Sequence, residues 1–239
     1  MDDKFNIKVL SCTSNPQSLV WLAMHQDYST HQVTLKEQKE EFDAGQCIVK
    51  HLLAGGRGHY GCFEHPSITL SCGYFNHGTM QQLRTHRVGV SFDVQSFRYT
   101  SARLLAVANM ELDIEEVIYF RPVGDYTDRS GKQYCYAERN RDDDKYYAGI
   151  LIRHYRNKLA YGISEEHARG MLPFDFRQHF VLTVNARSLM HLLDLRSKKD
   201  AQLECQWFCE LLLQTFADWM PDVSQWYVTN RLGKAKLSP

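Results

Sequence analysis

The stretch "RQHFVLTVNARSLMHLLDLR", residues 177–196, changes character once along its length. Its first part reads as a β-strand, Asn185 stands where a helix N-cap would, and "ARSLMHLLDLR" continues as a helix. A strand running straight into a helix points to an α/β or α+β fold. Downstream, Leu203, Trp207, Phe208, Leu211, Leu212, Thr215, Phe216 and Trp219 recur at spacings of three and four, which is one buried helix face. Upstream, "SEEHARGML" starts a helix at the cap Ser164, and "DKYYAGILIRHYRNKLAYG" is a further helix.

The same reading extends to the N-terminus. "FNIKVLSC" alternates as a strand, and Asn15 and Pro16 mark the cap and first position of a helix. Thr34 and Glu37 form a capping-box pattern that predicts one helix running to a stop at Gly55 and Gly56. A loop then leads to the strand "SITLSCGYF", and "TMQQLRTHR" predicts a helix. "ELDIEEVIYFRPVG" reads as an acidic linker and a strand, and residues 124–144 as an exposed loop with at most a turn of helix. No repeat or linker interrupts the chain, so residues 1–239 are expected to form one domain.

Composition narrows the function. Lysine plus arginine balance aspartate plus glutamate at 28 each, so attraction to nucleic acid or anionic membrane is not written into the net charge. The seven cysteines show no framework spacing, and the acidic start "MDDKFNIKVL" lacks an apolar run. A cytoplasmic protein with no membrane partner is expected. His59, Glu64 and His65 do not have the spacing of a zinc motif, so no metal is expected. Cys205 and Cys209, one helical turn apart, read as core residues.

Against this neutral background, Arg84, Arg87, Arg98 and Arg103 gather in a stretch whose only acid is Asp93. Arginine forks match phosphate oxygens and a serine adds a donor, so "SFRY" reads as a phosphate clasp. In an extended segment Ser96 and Arg98 would point to one side. The plainer reading pairs these arginines with the acidic run from Glu111 to Glu116. On the 185–196 helix Arg187 and His191 share a face, whereas Arg196 lies about 180° from Arg187. Either the helix stops short of Arg196, or it stands between two sites, or Arg196 merely caps its C-terminus.

Four segments together resemble the flavin-dependent thymidylate synthases (ThyX). "RTHRVGVSFDVQSFRY" is similar to that family's Arg-His-Arg…Ser-x-Arg signature, with Thr85 inserted and Val94 where many members carry glutamate. "GHYGCFEHPSITL", "EEHARGMLP" and "TVNARSLMHLLDLR" resemble three further blocks, in the family's order. The resemblance implies a single α+β domain with a mixed sheet flanked by helices. It also implies reductive methylation of dUMP to dTMP, with methylenetetrahydrofolate as carbon donor, FAD as hydride carrier and NADPH as reductant. By position, Gln82, Gln95, Ser96, Phe97, Arg98 and Arg169 would bind dUMP. Arg196 would lie against the uracil as the catalytic residue. Arg84, His86, Arg87, Asn185, Arg187 and His191 would bind FAD, in a homotetramer with shared active sites. No cysteine is assigned a catalytic role, which sets aside a folate-only thymidylate synthase. The reading from another class is a nucleic-acid-binding module, with arginines on phosphates and Phe92, Phe97 and Tyr99 stacking on bases; the neutral charge speaks against it.

Overall fold

The computed structural model describes residues 1–54 and 59–234. Strand β1 (Asn6–Cys12) leads to helix α1 (Pro16–Gln26). Asn15 is the residue before α1, with φ 49° and ψ 57°, a left-handed conformation that asparagine tolerates. Its side chain makes no cap bond. The first donors of α1, Gln17 N and Ser18 N, instead reach the Glu41 carboxylate at 2.7 and 2.9 Å. The cap is therefore supplied by another helix, which also ties the two together.

The Thr34–Glu37 capping box is present, but it opens only a 3-10 turn, Leu35–Glu37. Helix α2 (Glu41–Ile48) begins later and passes into a π-helical turn, Val49–Leu53. The charged run between them has no apolar face to bury, so a nucleated turn does not propagate. The expected stop at Gly55 and Gly56 lies outside the described residues.

Strand β2 (Ser67–Asn76) and helix α3 (His77–Leu83) follow, then β3 (Val90–Val94) and α4 (Ala102–Ala108). The strand expected after residue 111 is reduced to a single bridge between Ile118 and Phe176, preceded by a 3-10 turn, Ile114–Glu116. The expected loop at 124–144 is instead a hairpin, β4 (Gly124–Thr127) with β5 (Gln133–Tyr136), leading into the 23-residue helix α5 (Glu138–Ala160). Its turn is built by Asp128, whose carboxylate accepts from Ser130 N and Lys132 N, and by Gly131 at φ 83°. Helix α6 (Glu165–Ala168), strand β6 (Arg177–Asn185) and helices α7 (Ala186–Arg196), α8 (Leu203–Trp219) and α9 (Pro221–Asn230) complete the chain. The caps expected at Ser164 and Asn185 accept from His167 N and Ser188 N.

The sheet has the order β1-β2-β6-β3. Contacts between β2 and β6 run from Thr69–Thr183 to Tyr74–His179, and those flanking β3 from Gly89–Asn185 to Gln95–His179. Opposed numbering of this kind is antiparallel pairing. The α+β class holds, with antiparallel strands where a mixed sheet was expected.

Two compact units divide the chain. The first comprises Met1–Asn6, Cys72–Arg84 and Asp93–Phe180; the second comprises Ile7–Ser71, Thr85–Phe92 and Val181–Pro239. The first is built on a cluster from α4, α5 and their flanks, including Phe97, Leu104, Val117, Ile118, Ile152 and Tyr155. Arg177, 1% exposed, is fully engaged there: it donates to the carbonyls of Glu115 and Tyr74 and to the Asp2 carboxylate. Such a pairing lets a guanidinium stay buried. In the second unit α7, α8 and α9 bury Leu189, Leu192, Leu193, Phe208, Leu212, Phe216 and Tyr227. Each such side chain contributes about 1.5–3 kcal/mol. Cys205 and Cys209 lie in this core, where burial pushes the Cys209 thiol up.

Candidate active site

In the second unit, residues 85–88, the 3-10 turn Gly61–Glu64 and one side of α7 enclose a groove of about 490 Å³. Thr85, His86, Arg87, Arg187, His191 and Arg196 line it. One glycine shapes its floor. Gly89 has φ +63°, and a Cβ there would stand 2.3 Å from Asn185 Nδ2 and 2.5 Å from Ser188 Oγ. This close approach lets Asn185 N bond the Gly89 carbonyl at 3.1 Å while Ser188 Oγ donates to the Val88 carbonyl at 2.7 Å. The N-terminus of α7 is thereby fixed to the 85–89 segment.

Arg196 also resolves the question of helix faces. It is the last residue of α7, and its side chain turns back into the same groove as Arg187 and His191. A long side chain at the final turn leans toward the helix N-terminus, so 180° of separation at the backbone does not separate the guanidinium groups. Arg196 Nε donates to His86 Nε2 at 3.1 Å, and its Nη2 donates to Thr85 Oγ1 at 2.7 Å. Accepting that bond requires a neutral imidazole. Burial above all, with Arg196 and His191 adding to it, pushes His86 down to about 4. The His86 and His191 rings meet edge to face at 5.3 Å. Burial lowers His191 as well, and its Nδ1 is a buried atom with no hydrogen-bond partner among the described residues. Arg187 pairs with Glu64 at 2.5 Å. Glu64 was not among the residues expected at this groove; its signals were its place in the "GHYGCFEHPSITL" segment and beside His59 and His65.

The first unit carries the other group of expected residues. Ser96 is not in an extended segment: its carbonyl accepts from Tyr99 N and Thr100 N, so Ser96–Thr100 is a turn and strand alternation does not aim Ser96 and Arg98. Arg98 is exposed and lies 5.5 Å from the Tyr99 ring. The Phe97 ring is in the core, packed edge to face on Phe176 at 4.4 Å, which leaves only its backbone for a ligand and removes it as a stacking surface. Gln95 is held by its neighbours: its carbonyl accepts from Gln178 and its side-chain oxygen from Arg103. Arg84, at the end of α3, and Arg169, on a 3-10 turn, are exposed, and Gln82 is half-buried.

The acidic run does not neutralise this cationic segment. Glu115 pairs with Arg141 and Lys145 and Glu116 with Lys4, while Arg103 reaches only the Glu116 carbonyl. Among the described residues Arg84, Arg87, Arg98 and Arg169 have no salt bridge. No cluster of three His, Cys, Asp or Glu suited to a metal occurs among the described residues, and no helix there is long and apolar enough to cross a membrane.

Comparisons with known proteins agree along nearly the whole chain. The family model for thymidylate synthase complementing protein matches residues 8–222. A flavin-dependent thymidylate synthase of Haloarcula marismortui is 30% identical over 262 residues, covering 98% of this chain and 100% of that protein. One from Halobacterium salinarum is 33% identical over 238 residues, covering 92% and 94%. Among solved structures, the UMP/dUMP methylase PolB from Streptomyces cacaoi, bound with 5-Br dUMP, has a TM-score of 0.74 over 100% of this chain and 99% of its own. ThyX from Helicobacter pylori, with FAD and dUMP, has a TM-score of 0.69 over 97% and 100%. Both are 20% identical in sequence and share the fold. On the family match and the two archaeal relatives, the chain belongs to the flavin-dependent thymidylate synthases.

Proposed function

We propose that this chain converts dUMP to dTMP, taking the carbon from methylenetetrahydrofolate and reducing equivalents from NADPH by way of FAD. The observation that carries the reading is the groove of the second unit. His86, Arg87, Arg187, His191 and Arg196, from two distant stretches of sequence, line one cavity of about 490 Å³. Those residues fit a flavin dinucleotide. Guanidinium groups suit its phosphates, neutral imidazoles suit its rings and polar edges, and the unpartnered His191 Nδ1 is a buried atom that a ligand can satisfy. Arg87, Arg187, His86, His191 and Asn185 are the residues proposed to hold it. When bound, FAD supplies the hydride chemistry that side chains lack.

The remaining work falls to the chain. Ser96 and Arg98 hold the dUMP phosphate through a hydroxyl and a guanidinium, with Arg169, Gln82, the free amide of Gln95 and the Phe97 backbone beside them. Arg196 stabilises negative charge developing on the uracil carbonyls. Being always protonated, it acts electrostatically and takes up no proton. Its bonds to Thr85 and His86 fix its orientation beforehand.

The chain passes between its two units within every strand of the four-stranded sheet, which supports reading residues 1–239 as one domain. Self-association to a homotetramer with shared sites is supported by large exposed apolar side chains, among them Val88 beside the groove and Tyr146 and Tyr147 on α5. A cytoplasmic setting agrees with seven unpaired cysteines. The test of the function is the visible absorption spectrum of the purified protein before and after dUMP. An oxidised-flavin band that shifts on adding dUMP is expected. A colourless protein that takes up no FAD and instead retains nucleic acid would overturn the reading.

A further inference from the structure

Asp194 lies on α7, three residues beyond His191, and is 5% exposed. A buried carboxylate needs partners, and α9 supplies them. Tyr227 donates its hydroxyl to Asp194 Oδ1 at 2.9 Å, while Arg231 donates Nη2 and Nε to Oδ2 at 2.7 and 3.1 Å. The Arg231 guanidinium also stands 5.6 Å from the Tyr60 ring, and Tyr60 begins the turn that carries Glu64. One cation thus joins α7, α9 and the Glu64 turn, two of which form walls of the groove. Nothing in the four motif segments announces it.

We propose that Arg231 is a positioning residue for the groove: by holding the Asp194 carboxylate together with Tyr227, it keeps that charge from drawing a proton onto His191. His191 then stays neutral, with its Nδ1 available to the groove's ligand. The charges facing His191 set the balance. Arg187 and Arg196 on its own helix and Arg231, just after α9, oppose a protonated imidazole, His86 from the 85–88 segment is itself neutral, and among the described residues Asp194 alone favours one. The acid that lines the groove, Glu64, is paired with Arg187. Helix α8, packed on α7, adds the Cys209 thiol, which burial keeps protonated. Burial is the largest influence on His191, and Asp194 is the group poised to reverse it. The inference rests on the flavin reading for its consequence, since a neutral His191 matters most if a cofactor meets it.

The experiment is a histidine titration of the full-length protein by NMR, with the His191 signal assigned through its loss in His191→Gln. In the native chain the His191 midpoint is expected below the usual 6.5. Arg231→Gln should raise it, because Asp194 loses its compensating cation and His191 loses a repelling one. Arg231→Lys should leave it low. Asp194→Asn should lower it further, and Arg231→Gln/Asp194→Asn together should return it to the native value or below. A folded Arg231→Gln protein with an unmoved midpoint would overturn the proposal, since a merely structural arginine changes stability and not the titration. If Arg231→Gln does not fold, Asp194→Asn decides: an unmoved midpoint there is equally fatal. The titration needs no flavin, so its failure and the failure of the flavin reading are separate results.

Discussion

In the second unit the groove residues already hold one another: Arg196 is bonded to Thr85 and His86, Asn185 and Ser188 to the 85–89 segment, and Arg187 to Glu64. In the first, Ser96 and Arg98 sit on a turn, with Arg98 and Arg169 exposed and without an acidic partner among the described residues. The two regions teach different lessons about binding anions. A groove with fixed donors has its orientation entropy removed before the ligand arrives, which is what stabilising a developing charge requires. If the exposed turn is a phosphate clasp, it must be ordered as the ligand binds, so its cations would contribute affinity more than rate.

The largest break in this comparison should come from Arg196→Ala. If the groove is the preorganised partner of the reaction, product formation should fall by about 10²–10³, the usual effect of deleting one donor aimed at developing charge. The flavin band should survive. Retained turnover would remove Arg196 from its role, and loss of flavin along with turnover would make it a cofactor ligand instead.

The second test uses pH. Burial pushes His86 down to about 4 in the folded chain, from near 6.5 when unfolded. Between these values the unfolded state binds more protons, so folding stability is full above about 6.5 and is lost as pH falls toward 4. The effect is on the order of 3 kcal/mol at most. Urea unfolding at pH 5 and at pH 7.5 should show this slope, and His86→Gln should make it shallower, leaving the part due to His191 and His179, which burial also lowers. Equal slopes in both proteins would mean that the imidazole is not buried neutral.

The turn gives the contrasting result. Arg98→Ala should weaken dUMP by about 1.5–3 kcal/mol and Ser96→Ala by about 1 kcal/mol, with FAD affinity unchanged. Equal losses for both ligands, measured by calorimetry, would mean that the turn is a structural support and not a clasp.

What could be read from the sequence follows the same division. The strand-cap-helix run at 177–196 was legible because Asn185 does locally what an N-cap does, and Ser164 likewise. The apolar face of α8 is buried at Phe208, Leu212, Phe216 and Trp219 as its spacing requires. Features set by distant partners were not legible. The 124–136 hairpin pairs exposed strands with no apolar alternation to mark them. The Ser96 turn hides in β-favouring residues, and α1 is capped by Glu41 rather than Asn15. Helical phase placed Arg187 and His191 together but misjudged Arg196, because phase locates a Cβ and not the end of a long side chain. Glu64, Asp194 and Arg231 depend wholly on tertiary contacts.

The smallest expected effect sharpens the comparison most. Glu64 is the acid inside the cationic groove, and its pair with Arg187 at 2.5 Å is more than a third exposed on both sides, so it adds well under about 1 kcal/mol to stability. Its importance is competitive. A phosphate that engages Arg187 competes with the Glu64 carboxylate for the same guanidinium charge, so the pair holds the guanidinium in place and weakens the ligand by a small amount. Glu64→Gln should therefore tighten FAD a few-fold at low salt, and the gain should shrink as salt screens the groove. Binding of dUMP at the turn of the other unit should not change. If Glu64→Gln weakens FAD at every salt concentration, the carboxylate orients Arg187 instead of competing for it, and the groove depends on that ion pair as much as on the Arg196–His86 bond.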